Sequence, residues 1–157
     1  MARQSRRLVI GVESESQHFE DVLDDLLPSG PGRPSCLAFC PQGERHDLGL
    51  LMGALALGCA GWQTVVLGAD TPSASTEMPI EEIRPELLLI AASARRPVTR
   101  LLERWSPPRH GAVIAGGPGF RDGDEIRLGG PIHKGPYADV PGTVAAATRH
   151  SGHAVAS

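Results

Sequence analysis

The rhythm of apolar and polar positions changes near residue 34. Before it, Phe19, Val22, Leu23, Leu26 and Leu27 recur at i, i+3, i+4 and i+7, with Glu20, Asp21, Asp24 and Asp25 between them. That spacing, with Ser14 and Gln17 as a capping box, predicts an amphipathic helix over 14–27 whose acidic face is solvated. A short apolar strand at 8–12 precedes it. Pro28-Ser29-Gly30-Pro31-Gly32-Arg33-Pro34 reads as a linker by composition. The expected organisation is an extension over 1–33, one domain over 34–150 and a disordered tail over 151–157.

From Ser35 onward, continuous apolar runs alternate with helical patterns. Strands are expected at 35–40, 63–68, 86–93 and 111–115, with residues 125–128 as a weak fifth. Helices are expected at 47–60, 75–83, 97–105 (with Pro97 as its first residue) and 140–150. The helix at 47–60 is apolar on every side and reads as a core helix, with a stripe of small residues at Gly49, Gly53, Ala56 and Ala60. Apolar strands joined by helices predict an α/β fold: a doubly wound, flavodoxin- or Rossmann-like open parallel sheet of about five strands, with helices on both faces. Ligands of such sheets lie outside the carboxyl ends of the strands. The least ordinary stretches, Glu44 to Gly49, Ser93 and Gly116 to Gly119, all fall there, so the pattern predicts a pocket without naming its ligand.

Composition narrows the choice. The 157 residues carry a net charge of -3, only Lys134 is a lysine, and aromatics make up 4%. This argues against a general nucleic-acid or anionic-membrane binder. The amino terminus lacks a signal-peptide pattern, and the apolar stretch Leu48 to Ala60 is too short to cross a bilayer. Cys36, Cys40 and Cys59 sit on apolar runs without metal spacing, read as core, and fit a reducing cytoplasm. No nucleophile–base pair or acid–base pair stands out, so catalysis by this chain alone is not expected.

Glu44-x-His46-x-x-Gly49, then Gly61-Trp62 leading to Leu67-Gly68-Ala69-Asp70-Thr71-Pro72, then Pro85-Glu86-Leu87 leading to Ser93, then Gly116-Gly117, resembles the cobalamin (vitamin B12)-binding domain. The order and spacing are most similar to the version in cobalamin-dependent, light-responsive MerR-type transcriptional regulators, over about residues 34–150. The resemblance implies His46 as lower axial ligand to the cobalt of adenosylcobalamin or methylcobalamin. It also implies a nucleotide tail slid between sheet and helix along Gly49, Gly53, Ser93, Gly116 and Gly117, with Glu44, Arg45 and Asp47 around the histidine. Imidazole suits cobalt, and a ligating histidine needs its second nitrogen held, a task for Glu44 directly or through water. Two positions depart from the family pattern: Glu44 replaces the usual Asp, and Ser93-Ala94-Arg95 replaces Ser-x-Leu. Arg95 and Arg96 then either cover the tail differently or reach a corrin carboxamide or the tail phosphate. The helix bundle and DNA-reading parts of the regulators are not expected here. The upper face of the corrin is left to residues 8–27, a protein partner, a second copy or nothing.

Each feature also has a plainer reading. A lone histidine at a turn is more often a surface or satisfied core residue, and only the full motif reverses that. Asp47 serves equally as a first-turn acid at a helix N-terminus. Gly116-Gly117 serves equally as a strand-to-loop turn. The leading functional reading is a stand-alone cobalamin-binding protein acting as a cofactor or light sensor, a photoreceptor-type regulator of transcription, through a partner. The alternative is a small corrinoid-carrying subunit of a cobalamin-dependent methyltransferase or mutase. The third is a cofactor-free interaction scaffold.

Overall fold

A computed structural model describes residues 32–151. The expected strand at 8–12, the helix at 14–27 and the tail beyond Ser151 lie outside the described residues. Five strands, β1 (Ser35–Pro41), β2 (Gln63–Thr71), β3 (Leu87–Ala91), β4 (Ala112–Gly116) and β5 (Ile132–His133), form one sheet in the order β2-β1-β3-β4-β5. Every neighbouring pair is parallel. The helices are α1 (Leu48–Cys59), α2 (Ala74–Ile83), α3 (Arg95–Arg104), α4 (Asp124–Leu128) and α5 (Val140–Ser151), with a 3-10 turn at Tyr137–Asp139 before α5. The predicted doubly wound parallel sheet is therefore the fold.

Alternate residues of the central strands feed two separate cores, because successive side chains of a strand point to opposite faces. Leu37, Phe39, Leu88, Ile90 and Val113 pack with Val98, Leu101 and Leu102 of α3 and Leu128 of α4. Cys36, Ala38, Cys40, Leu87, Leu89 and Ile114 pack with Leu50 and Leu57 of α1 and Val140 and Val144 of α5. Both faces of the sheet are covered, which is why its strands read as unbroken apolar runs. Burial pushes the thiols of Cys36 and Cys40 well above the usual range.

Four details correct the sequence reading. Residues 125–128 belong to helix α4, not to a strand: Gly123 and Gly129, both at positive φ, bracket it, and Ile126 is 86% exposed. The fifth strand is Ile132–His133 instead. Pro97 is the third residue of α3, not the first, because Ala94 is extended and Arg95 opens the helix. Pro97 still lies in the first turn, where a missing N–H is harmless. Finally, α1 is buried on one side only. Leu50, Leu51, Gly53, Ala54, Leu57 and Gly58 face inward, while Leu48 is 65% exposed and Cys59 is an exposed free thiol. Among the described residues, no helix is long and apolar enough to cross a membrane.

Candidate functional site

The sheet grows in both directions from β1, with β2 on one side and β3 on the other, so the chain reverses its winding between β1 and β3. The loops leaving those two strands carry Glu44 and Ser93, 49 residues apart in sequence. Pairing of β1 with β3, from Cys36 opposite Leu87 to Phe39 opposite Ile90, brings them into contact. The next strand along, β4, delivers Gly116 opposite Ala91.

Glu44 is the centre of this junction, its side chain only 1% exposed. Its Oε1 accepts the His46 backbone N–H at 2.9 Å and lies 3.0 Å from His46 Nδ1. Its Oε2 accepts the backbone N–H groups of Ser93 (2.7 Å) and Ala94 (3.0 Å). The Ser93 hydroxyl reaches both carboxylate oxygens at 3.0 Å and stands 3.3 Å from His46 Nδ1. Burial by itself opposes ionisation of this carboxyl. The N–H donors of His46, Ala94 and Ser93 and the Ser93 hydroxyl outweigh it and bring the pKa down to about 2. A buried anion thus holds one imidazole nitrogen. The His46 side chain is itself 83% exposed, and among the described residues no group bonds its Nε2. A fixed imidazole with one free nitrogen at the surface is the arrangement expected of a metal ligand.

His46, Gly49, Gly53, Ser93, Gly116 and Gly117 together line one cavity of about 490 Å³, floored by Leu89 to Ala92. Glu44 sits behind it, and neither the exposed Arg45 nor the buried Asp47 lines it. Asp47 is the N-cap residue of α1. The glycines differ in what keeps them small. A Cβ on Gly117 would meet the Ala92 carbonyl oxygen at 2.3 Å, so Gly117 is required by the backbone that leaves β3. A Cβ on Gly49 would stand 2.9 Å from the Tyr137 hydroxyl, the far end of a side chain that is half exposed. We therefore expect Gly49→Ala to leave the cofactor-free chain as stable or to stabilise it by up to about 1 kcal/mol, since alanine is the better helix former. The same change narrows the cavity and weakens whatever binds there. Thermal unfolding and ligand titration of the one variant check both halves.

Sequence reasoning missed Tyr137, His133 and Lys134, which complete the cavity wall from the far side. His133 is braced by Thr143 Oγ1 at 2.7 Å and the Pro136 carbonyl at 2.9 Å. Arg95, expected to reach a ligand, is engaged elsewhere: it pairs with Asp124 at the start of α4 and holds that carboxyl below its usual range. This ties the Ser93-Ala94 loop to α4.

No family model matches the chain. Over 82 residues it is 37% identical to the HTH-type transcriptional repressor CarA of Myxococcus xanthus, a match covering 52% of this chain and 28% of that protein. The methanol:cobalamin methyltransferase complex MtaBC from Methanosarcina barkeri shares the fold with TM-score 0.61 and 18% identity, over 82% of this chain and 51% of that one. The monomethylamine corrinoid protein of Methanosarcina barkeri matches with TM-score 0.59 and 21% identity, over 78% and 61%. A cobalamin-binding protein from Desulfitobacterium hafniense DCB-2 matches with TM-score 0.54 and 20% identity, over 70% and 57%. The chain spans less than two thirds of each of these proteins, and at such identities the structural likeness shows the fold.

Proposed function

We propose that this chain, whose fold is that of cobalamin-binding proteins, is itself a cobalamin-binding module that holds its cofactor through His46 and acts as a sensor or regulatory module through a protein partner. The observation that carries the proposal is the Glu44–His46–Ser93 contact. A buried carboxylate fixes Nδ1 of an exposed imidazole and leaves Nε2 free beside a glycine-walled cavity. The residues fit the group. Imidazole is a suitable cobalt ligand, its second nitrogen is held, and Leu48 and Tyr137, both exposed and lining the same cavity as His46, offer apolar surface to a flat macrocycle. Bound cobalamin, as adenosyl- or methylcobalamin, would supply a reactive cobalt–carbon bond. The chain's own work is to orient the imidazole and to line the cavity that receives the tail. A partner or a second copy would cover the part of the cofactor that this chain leaves exposed.

The 37% identity to the repressor CarA, against 18–21% to the three solved structures, supports the regulatory reading. The match to 82% of this chain within the methyltransferase complex supports a second reading, a corrinoid-carrying subunit. Absorbance of protein mixed in the dark with adenosylcobalamin or methylcobalamin and then desalted tests the site. Wild type is expected to retain cofactor with a histidine-ligated spectrum. His46→Ala loses it while changing the stability of the cofactor-free chain by about 1 kcal/mol or less, because the side chain is exposed. No retention of either form by wild type would refute the proposal. A change of spectrum and oligomeric state under green light favours the regulator; methyl transfer with an added corrinoid-dependent transferase favours the carrier.

A further inference from the structure

Among the described residues only Asp70 and Arg84 are non-glycine residues at positive φ, and Asp70, at φ 50°, lies within β2 close to its carboxyl end. The pairing of β2 with β1 shifts register twice there, after Ala38 and after Phe39, which carries Asp70 toward the loop leaving β1. Its Oδ1 accepts the Gly43 N–H at 2.6 Å, and its own N–H donates to the Glu44 carbonyl at 2.7 Å. The Pro41–Glu44 turn is closed by the Glu44 N–H to the Pro41 carbonyl at 2.9 Å, and the Thr71 hydroxyl ties back to the Gly68 carbonyl at 3.0 Å. Both backbone polar groups of Glu44 are therefore held, one through Asp70, before its carboxylate meets His46 and Ser93. Left-handed backbone at a residue with a side chain persists only where its surroundings impose it, and such strain collects at functional sites.

We infer that Asp70 is a positioning residue of this site: it latches the Gly43-Glu44 backbone to the end of β2 and so sets where Glu44 holds His46. The inference rests on the proposed function only for the identity of the ligand. The latch itself is a property of the cofactor-free chain.

Three substitutions separate the latch from the strain. Asp70→Asn keeps an acceptor oxygen and tolerates the left-handed backbone. Asp70→Gly relieves the strain and removes the acceptor. Asp70→Ala keeps the strain and also removes the acceptor. Two measurements are made on the full chain: hydrogen exchange of the Gly43 and His46 amides without cofactor, and retention and spectrum of adenosylcobalamin after desalting. The latch predicts that Asp70→Gly folds as stably as wild type, exchanges both amides about tenfold faster or more, and binds cobalamin roughly 10–100-fold more weakly with a diminished histidine-ligated spectrum. Asp70→Asn stays close to wild type, and Asp70→Ala shows the same site defect as the glycine variant with lower stability. Unchanged exchange and an unchanged spectrum in Asp70→Gly would overturn the inference, as would an equal loss in Asp70→Asn. If wild type retains no cobalamin, the functional proposal fails, while the exchange of the His46 amide still decides the latch.

Discussion

Glu44→Gln is expected to lower the unfolding midpoint by roughly 6–12 °C, from a loss of about 3 kcal/mol at about 2–4 °C per kcal/mol for a chain of this size. The carboxylate is buried, and its two oxygens receive three backbone N–H groups and the Ser93 hydroxyl beside the His46 ring. An amide of the same shape offers one acceptor oxygen and turns an NH2 group toward donors, leaving buried N–H groups unpaired. The effect has a pH signature. The folded pKa of about 2 lies below the ordinary 4.5, so the unfolded chain takes up this proton first as pH falls. The stability contributed by Glu44, about 3 kcal/mol, is present in full above the ordinary value of 4.5 and is lost as pH falls toward about 2. Denaturant unfolding of both proteins at about pH 6, 4 and 3 should therefore show the gap between them closing in acid. A gap that stays constant would mean that the charge of Glu44 is not what holds the junction. The same variant should hold cobalamin more weakly, because His46 loses its orienting anion.

Gly117→Ala should be the other large effect, about 3 kcal/mol or more, combining left-handed strain of about 1–2 kcal/mol with a backbone collision. Gly117 has φ 103°, and a Cβ there would stand 2.3 Å from the Ala92 carbonyl oxygen and 3.0 Å from its carbon. Neither atom can swing aside as a side chain would. That carbonyl already accepts the Gly119 N–H at 3.0 Å, so relief requires parting the ends of β3 and β4. Ser93, next to Ala92, would be drawn from Glu44. Gly123→Ala is the control: φ is 97°, but nothing lies within 4 Å of the added atom, so only the backbone strain remains. Thermal unfolding should show a midpoint drop about twice as large for Gly117→Ala as for Gly123→Ala. Equal drops would show that the approach to Ala92 costs nothing.

Strands β1 to β4 were legible because each is a run long enough to state its own period, whereas the two-residue β5 is not. Cys36 to Cys40 and Leu87 to Ile90 are buried on both faces, and an unbroken apolar run says so without reference to any neighbour. Residues 125–128 were not legible: of Glu125, Ile126, Arg127 and Leu128 only Leu128 is buried, and the turn is held as a helix by Asp124 pairing with Arg95 of α3 and by the Trp105 indole N–H on the Leu128 carbonyl at 2.9 Å. Those partners come from about 20–30 residues away. The same holds for α1, whose composition reads as buried all round while its exposure depends on what packs beside it.

For the site, Glu44-x-His46-x-x-Gly49 already contains the carboxylate, the imidazole and the glycine, because all three belong to one short loop and the helix after it. Local order is enough to identify them. That Glu44 is buried, that Ser93 and Ala94 donate to it, that Asp70 latches its backbone and that Tyr137 fills the space over Gly49 are decided only when β1 pairs with β3 on one side and β2 on the other. Strand order is a choice among nonlocal pairings, and no residue within a strand records which neighbour it will meet. The chain thus carries its chemistry in local sequence, while the folded sheet supplies the environment that ionises Glu44 and aims His46.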